Sequence, residues 1–176
     1  MSNEAMRLPF LRKASAGDEP IIVAMTGVRL GEAVIFAGRS AGWAVPLASR
    51  TGLSGRCLVL GSPDVTGAIE AAASREGVLV ETATAAPGER VFDLAVIEIG
   101  ERWEADAENV LQAVRPGGRL ITVSGAPRTG LFGKLGSAAP PVGPDAVVAR
   151  LTRLGWHRVR PIGERDGVSF VEAFSS

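Results

Sequence analysis

Apolar residues in this chain fall in short unbroken runs, each followed by a polar or glycine-bearing turn and then by a longer stretch of helical composition. The runs are "AVIFA" (33–37), "RCLVLG" (56–61), "VLVETA" (78–83), "FDLAVIEIG" (92–100) and "GRLITVSG" (118–125). Continuous apolar character of this length is what a strand buried on both faces requires. Between the runs, "AGWAVPLASRTG" predicts a helix ending at Gly52, with Pro46 tolerable only within about its first turn. "DVTGAIEAAASREG" predicts another, with Asp64 at or near its N-cap and Gly77 just beyond its end. A third, "DAENVLQAVRPGG", is expected to be ended by Pro116, Gly117 and Gly118. A short helix in "PIIVAMTGVRLGE", stopped near Gly27, leads into the first strand.

Strand and helix in alternation, with short connections, predict a parallel sheet with helices on both faces. The tail breaks the rhythm. "GPDAVVARLTRLGW" reads as a helix, and "HRVRPIG" and "VSFVEAF" as two strands around "ERDG". Asp166-Gly167 is a turn pair, so these strands should form an antiparallel hairpin at the sheet edge. Residues 1–20 are expected to be an N-terminal arm, with Met6, Phe10 and Leu11 giving it an apolar side that docks on the core. Residues 21–176 then form a single α/β domain.

Composition narrows the function. The 176 residues suit one domain with a sizeable core. Nineteen basic residues face nineteen acidic ones, so no overall field points to nucleic acid or to an anionic membrane. No apolar run reaches ~18 residues and the N-terminus has no signal-like core, which makes a cytoplasmic protein the default. The single cysteine, Cys57, sits in an apolar run and reads as a buried, inert thiol. The single histidine, His157, excludes a His-rich metal cluster; no metal is expected.

The loop after the first strand, "AGRSAGW", is the main candidate for chemistry. A dinucleotide fingerprint G-x-G-x-x-G would need glycine at positions 40 and 43, where Ser40 and Trp43 stand. A phosphate loop fails too. Its Gly-Lys pair is absent here, and in "GAPRTGLFGKLG" Leu131 follows Gly130 where lysine is required. An NAD-dependent oxidoreductase is therefore a distant reading.

A third pattern fits better. "EAVIFAGRSAG", "FDLAVIEIG", "NVLQAVRPGGRLITVSG" and "LTRLGWHRVRPIGERDGVSFVEA" together resemble the class I S-adenosylmethionine-dependent methyltransferases over roughly residues 20–175. The resemblance implies a Rossmann-like methyltransferase sandwich: a seven-stranded, mostly parallel sheet with a C-terminal antiparallel hairpin and helices on both faces. It also implies S-adenosylmethionine as cofactor, held by Gly38, Ser40 and Gly42 after the first strand and by Gly61 and Ser62 after the second. The Pro116-Gly117-Gly118 passage carries the resemblance furthest, although physically it only turns the chain into a strand.

The chain departs from the family's pattern at three acids. Phe36 stands where the first strand usually ends in an acid, and its ring either supports the core or partly plugs the pocket. Gly61 stands where the second strand usually presents a carboxylate to the ribose hydroxyls. Losing such an acceptor removes about 1.5–3 kcal/mol, roughly ten- to a hundredfold in affinity. "TATAAPG" carries no acid near the adenine amine. Ser40 is acceptable at a glycine position if its φ stays negative.

Near the sheet's carboxyl edge, where ligands of such folds bind, the substrate candidates are Glu98, Glu101 and Trp103. Glu98 either orients an amine or hydroxyl or points from the strand end into water. Glu101, Glu104, Asp106 and Glu108 surround a helix start, where acids suit the dipole. Trp43 reads as helix packing, and His157 is an improbable lone base. Arg150, Arg153, Arg158 and Arg160 form either an anion-binding patch or a solvated face. The Gly/Pro-rich segment 124–144 is either a lid or a linker. Two functions stay open: a small-molecule methyltransferase, and a non-catalytic relative that has lost the cofactor and acts as a binding or assembly module. A homodimer through a sheet edge or through segment 124–144 is a further expectation.

Overall fold

The buried runs become a seven-stranded sheet in a computed structural model that describes residues 19–125 and 142–176. All but the last two residues of the expected N-terminal arm, and most of segment 124–144, lie outside the described residues. In chain order the elements are α1 (Ile21–Thr26), β1 (Ala33–Ala37), α2 (Ala41–Thr51), β2 (Arg56–Leu60), α3 (Pro63–Arg75), β3 (Glu81–Ala83) and β4 (Phe92–Glu98). They continue with α4 (Trp103–Leu111), β5 (Val114–Ser124), α5 (Pro144–Arg153), β6 (His157–Arg165) and β7 (Val168–Phe174). The strand order is β3-β2-β1-β4-β5-β7-β6. β1 to β5 pair in parallel, and β7 runs against both β5 and β6. This is the Rossmann-like sandwich that the sequence predicts. Among the described residues no helix is long and apolar enough to cross a membrane.

Each central strand feeds both faces. Val34 and Phe36 face the side of α1, α2 and α3, packing with Ile22, Trp43, Leu47 and Ile69. Ile35 and Ala37 face the other side, with Trp103, Val110, Leu151 and Trp156. The period of two thus divides one apolar run between two cores. Burying a side chain such as Phe36 or Leu47 completely contributes about 1.5–3 kcal/mol.

Termination follows the glycines. α1 ends on Gly27 at φ 59, and its N–H donates to the Val23 carbonyl. α2 ends at Gly52, φ 64. The hairpin turn carries Asp166 at φ 56 and Gly167 at φ 77, two consecutive left-handed residues as a type I′ turn requires.

Several boundaries differ from expectation. Pro46 is the sixth residue of α2, beyond its first turn. Lacking an N–H, it cannot donate to the carbonyl of half-buried Gly42. Asp64 lies near the N-cap of α3 as expected: Ser62 is the cap itself, Pro63 takes the first helical position and Asp64 follows in the first turn. β3 keeps only Glu81–Ala83 of the predicted 78–83, with Leu79 76% exposed.

The Pro-Gly-Gly passage does not end α4, which stops at Leu111. Pro116, Gly117 and Gly118 instead bulge out of β5, between the pairs Phe92–Val114 and Leu94–Arg119. Gly117 N–H donates to the Ser175 carbonyl and Ser175 N–H to the Gly118 carbonyl, at 3.1 and 2.9 Å. A Cβ at Gly118 would lie 2.6 Å from Val114 Cγ1. The bulge is held by the C-terminal residues and is too tight for a side chain.

One crossover is bare. β3 reaches β4 past the width of β2 and β1, yet residues 84–91 form no helix. Among the described residues a loop, and not a helix, crosses that face, with Ala86 packed against the buried Leu58 and Leu60 side of the core.

Candidate functional site

Parallel pairing brings the carboxyl ends of the strands level. Ala37 lies opposite both Leu60 and Ile97, and Leu60 opposite Ala83. The loops that follow β1, β2 and β3, with the turn into α4, enclose a cavity of about 400 Å³. Gly38 and Arg39 line it from the first loop, and Gly61 and Ser62 from the second. Thr84 and Ala85 form the side at the crossover that lacks a helix. Glu101, Arg102, Asp106 and Asn109 close the opposite wall.

Of the sequence-predicted residues, Gly38, Gly61, Ser62 and Glu101 are therefore brought together around one cavity. Ser40 and Gly42 sit just behind it, at the start of α2. Ser40 is the N-cap, with φ −90, and its carbonyl accepts from the N–H groups of Trp43 and Ala44. Its φ is negative, so serine sits there without strain. A Cβ on Gly61 would come within 3.2 Å of Val65 Cγ1, which keeps the second loop close to α3.

Glu98 does not point into water. Its Oε2 accepts from the backbone N–H of Arg39 at 2.6 Å and of Ser40 at 2.9 Å. Gly38 permits this contact. A Cβ there would lie 2.6 Å from Glu98 Cβ, 2.7 Å from Glu98 Oε2 and 2.7 Å from Phe36 Cζ. Phe36 is fully buried among Val34, Trp43 and Val59, so its ring supports the core and does not line the cavity.

Burial pushes the Asp106 carboxyl above the usual range, against the nearby Arg102 guanidinium, which pulls it down. The sequence places Asp106 among acids at a helix start; that its side chain faces a cavity depends on how α4 lies against the sheet. Arg39, Val65, Thr84, Ala85, Arg102 and Asn109 were also missed. Of these only Arg39 carried a signal, as a cation inside the glycine loop.

Other candidates fall away. Trp43 and Trp103 are both buried in the core. His157 pairs with Phe174, level with Arg119 of β5 and Leu94 near the start of β4, so it lies towards the end of the sheet away from the cavity. Arg150 bonds Glu104 at 2.8 Å and lies 6.0 Å over the Trp103 ring, while Arg160 pairs with Glu172 at 2.7 Å. These partners spread the C-terminal arginines over different elements. A second cavity, of about 540 Å³, lies between the ends of α2 and α3 at the amino end of β2. Cys57 lines it, and burial, with Glu81 adding, pushes that thiol up to about 12. Among the described residues no group of His, Cys, Asp and Glu is placed to hold a metal ion.

No protein-family model matches the chain, and no curated protein sequence matches it. Solved structures do. A SAM-dependent methyltransferase from Aquifex aeolicus superposes with a TM-score of 0.67 at 17% identity, over 90% of each chain. A SAM-dependent O-methyltransferase from Thermotoga maritima gives 0.66 at 15%, over 88% of this chain and 63% of that one. The [4+2]-cyclase SpnF gives 0.62 at 12%, over 88% and 78%. With its seven-stranded order and these superpositions, the chain has the fold of the class I S-adenosylmethionine-dependent methyltransferases.

Proposed function

We propose that the cavity at the carboxyl edge takes S-adenosylmethionine and that the protein transfers its methyl group to a small molecule. The observation that supports this most is the convergence of Gly38, Gly61 and Ser62 on one cavity of about 400 Å³, at the strand ends where ligands of open α/β sheets bind. Methyl transfer from a sulfonium is an in-line displacement that rests on positioning and exclusion of water. The wall residues here are suited to positioning: Leu60 and Val65 offer apolar contact, Ser62 a hydroxyl that makes no cap hydrogen bond, and Glu101 a carboxylate.

A second reading has its own support. The second strand ends at Leu60 and is followed by Gly61-Ser62, with no carboxylate for a ribose, and the first loop's amides already hold Glu98. A relative without cofactor, serving as a binding module, would look the same there. The fold is compatible with other chemistry as well, since one neighbour is a cyclase.

Calorimetric titration with S-adenosylmethionine and with S-adenosylhomocysteine separates the readings. Binding in the micromolar range is expected. No heat up to millimolar ligand, with folded protein confirmed, would replace the methyltransferase reading with the binding module.

A further inference from the structure

Among the described residues four large apolar side chains are exposed, and all four stand in segments that lead into strands. Leu30 precedes β1, Leu53 precedes β2, Leu79 precedes β3 and Val91 precedes β4. They therefore share the amino edge of the sheet, opposite the cavity at the carboxyl ends. A single exposed leucine needs no explanation, but a group gathered on one edge marks an interaction surface. Leu53 is 92% exposed, so the folding of its own chain does not account for it.

These leucines are held in place. Gly31 N–H donates to the Thr51 carbonyl at 2.9 Å, and Arg56 N–H to the Glu32 carbonyl at 3.1 Å. The two bonds tie the turn that carries Leu30 to the turn that carries Leu53. A Cβ at Gly52 would lie 2.6 Å from Leu30 Cδ1, so the turns meet with no room for a side chain between them. Leu53 and Leu79 both line the groove of about 540 Å³ at the start of β2. A surface ordered beforehand loses less freedom on association.

Charge selects the occupant. Arg56 and Glu81 line the same groove and pair at 2.9 Å, with side chains 42% and 53% exposed. A strongly acidic partner would meet Glu81, and a strongly basic one Arg56. A second copy of this chain carries the same two charges, and a two-fold axis presents them in reverse order. Nineteen basic and nineteen acidic residues leave no net repulsion between copies.

We propose that the amino edge of the sheet is a homodimer surface. Leu53 and Leu79 of each copy pack at the groove of the other, and each Arg56 meets the other copy's Glu81 across the two-fold axis. The carboxyl-edge cavity lies outside this contact, so the dimer stands or falls separately from the methyltransferase reading.

Sedimentation equilibrium of the full chain tests it. The wild type should approach twice the mass of one chain as its concentration rises. Leu53→Asp and Leu79→Asp should each weaken association about tenfold or more. Their melting temperatures, taken at a dilution where the wild type is monomeric, should stay close to the wild type's. Arg56→Glu alone and Glu81→Arg alone should also associate less, because each sets like charges against each other across the axis. Mixed in equal amounts, these two variants should associate again, since every pair across the axis then joins opposite charges.

A wild type that stays monomeric at every concentration would overturn the proposal. If Leu53→Asp then also melted lower, a segment of the same chain would be the occupant. A dimer unchanged by both aspartate substitutions would place the contact on another surface and overturn it as well. Failure of the mixed charge variants to associate better than either alone would overturn the two-fold pairing.

Discussion

Gly38 shows how much can depend on one absent side chain. Its missing Cβ leaves room for Glu98, whose carboxylate accepts from the Arg39 and Ser40 amides. Gly38→Ala should therefore lower stability by about 1–3 kcal/mol through overpacking, measured by urea unfolding. An unchanged midpoint would mean that Glu98 moves aside freely. Cys57 gives a prediction of known sign. Its thiol ionises near 9 when exposed and is held up to about 12 in the fold, so between those values the unfolded chain binds fewer protons than the native one. Stability attributable to this group is flat below pH 9 and falls as pH rises towards 12. Cys57→Ala should unfold with a shallower alkaline slope than the wild type, and parallel slopes would contradict the burial of the thiol. The burial of Cys57 follows from its apolar chain neighbours, whereas the role of Gly38 does not. Glu98 meets the glycine loop only because β1 and β4 pair in register, with 58 positions of sequence between Ser40 and its partner.

Elements buried on both faces were legible because sequence alone encodes their environment. "AVIFA" is β1 to the residue, and β4 takes the first seven residues of "FDLAVIEIG". The hairpin was legible from Asp166-Gly167, since few pairs accept two positive φ values in succession. Errors came where burial depends on a neighbour. Val78, Leu79 and Val80 look like strand but lie at the sheet's border, where β3 has one partner and exposed side chains. Pro116-Gly117-Gly118 looks like a helix stop, yet the stop falls earlier and the glycines serve a bulge locked by Ser175. Pro46 offers an element-scale test. Proline within a helix is about 3 kcal/mol less favourable than alanine, and its restriction of the unfolded chain returns at most about 1 kcal/mol. Pro46→Ala should thus raise stability by about 2 kcal/mol as α2 regains its hydrogen bond to Gly42. A lower melting temperature would show that the half-buried ring's packing outweighs that bond.

Across the whole molecule, order should decline from the middle of the sheet to its borders. β1, β4 and β5 are flanked by strands on both sides and covered on both faces, whereas β3 has three residues and β6 is exposed along most of its length. Hydrogen exchange should find the amides of 94–97 and 120–123 protected to the level of global unfolding, and those of 81–83 and 157–165 opening earlier. Uniform protection across all seven strands would argue against this gradient. β6 also carries two register shifts, Pro161 and Arg158 at φ 51, which make it a poor template for another strand. Sheet-edge dimerisation is disfavoured on that border. The bare crossing from β3 to β4 bears on ligand kinetics. Among the described residues Thr84 and Ala85 line that flank, so a ligand of the proposed site should exchange with solvent there without waiting for a helix of the 84–91 crossing to swing away. The same stretch, 84–91, is where a grafted amphipathic helix would roof the cleft and lengthen the residence time of whatever it holds.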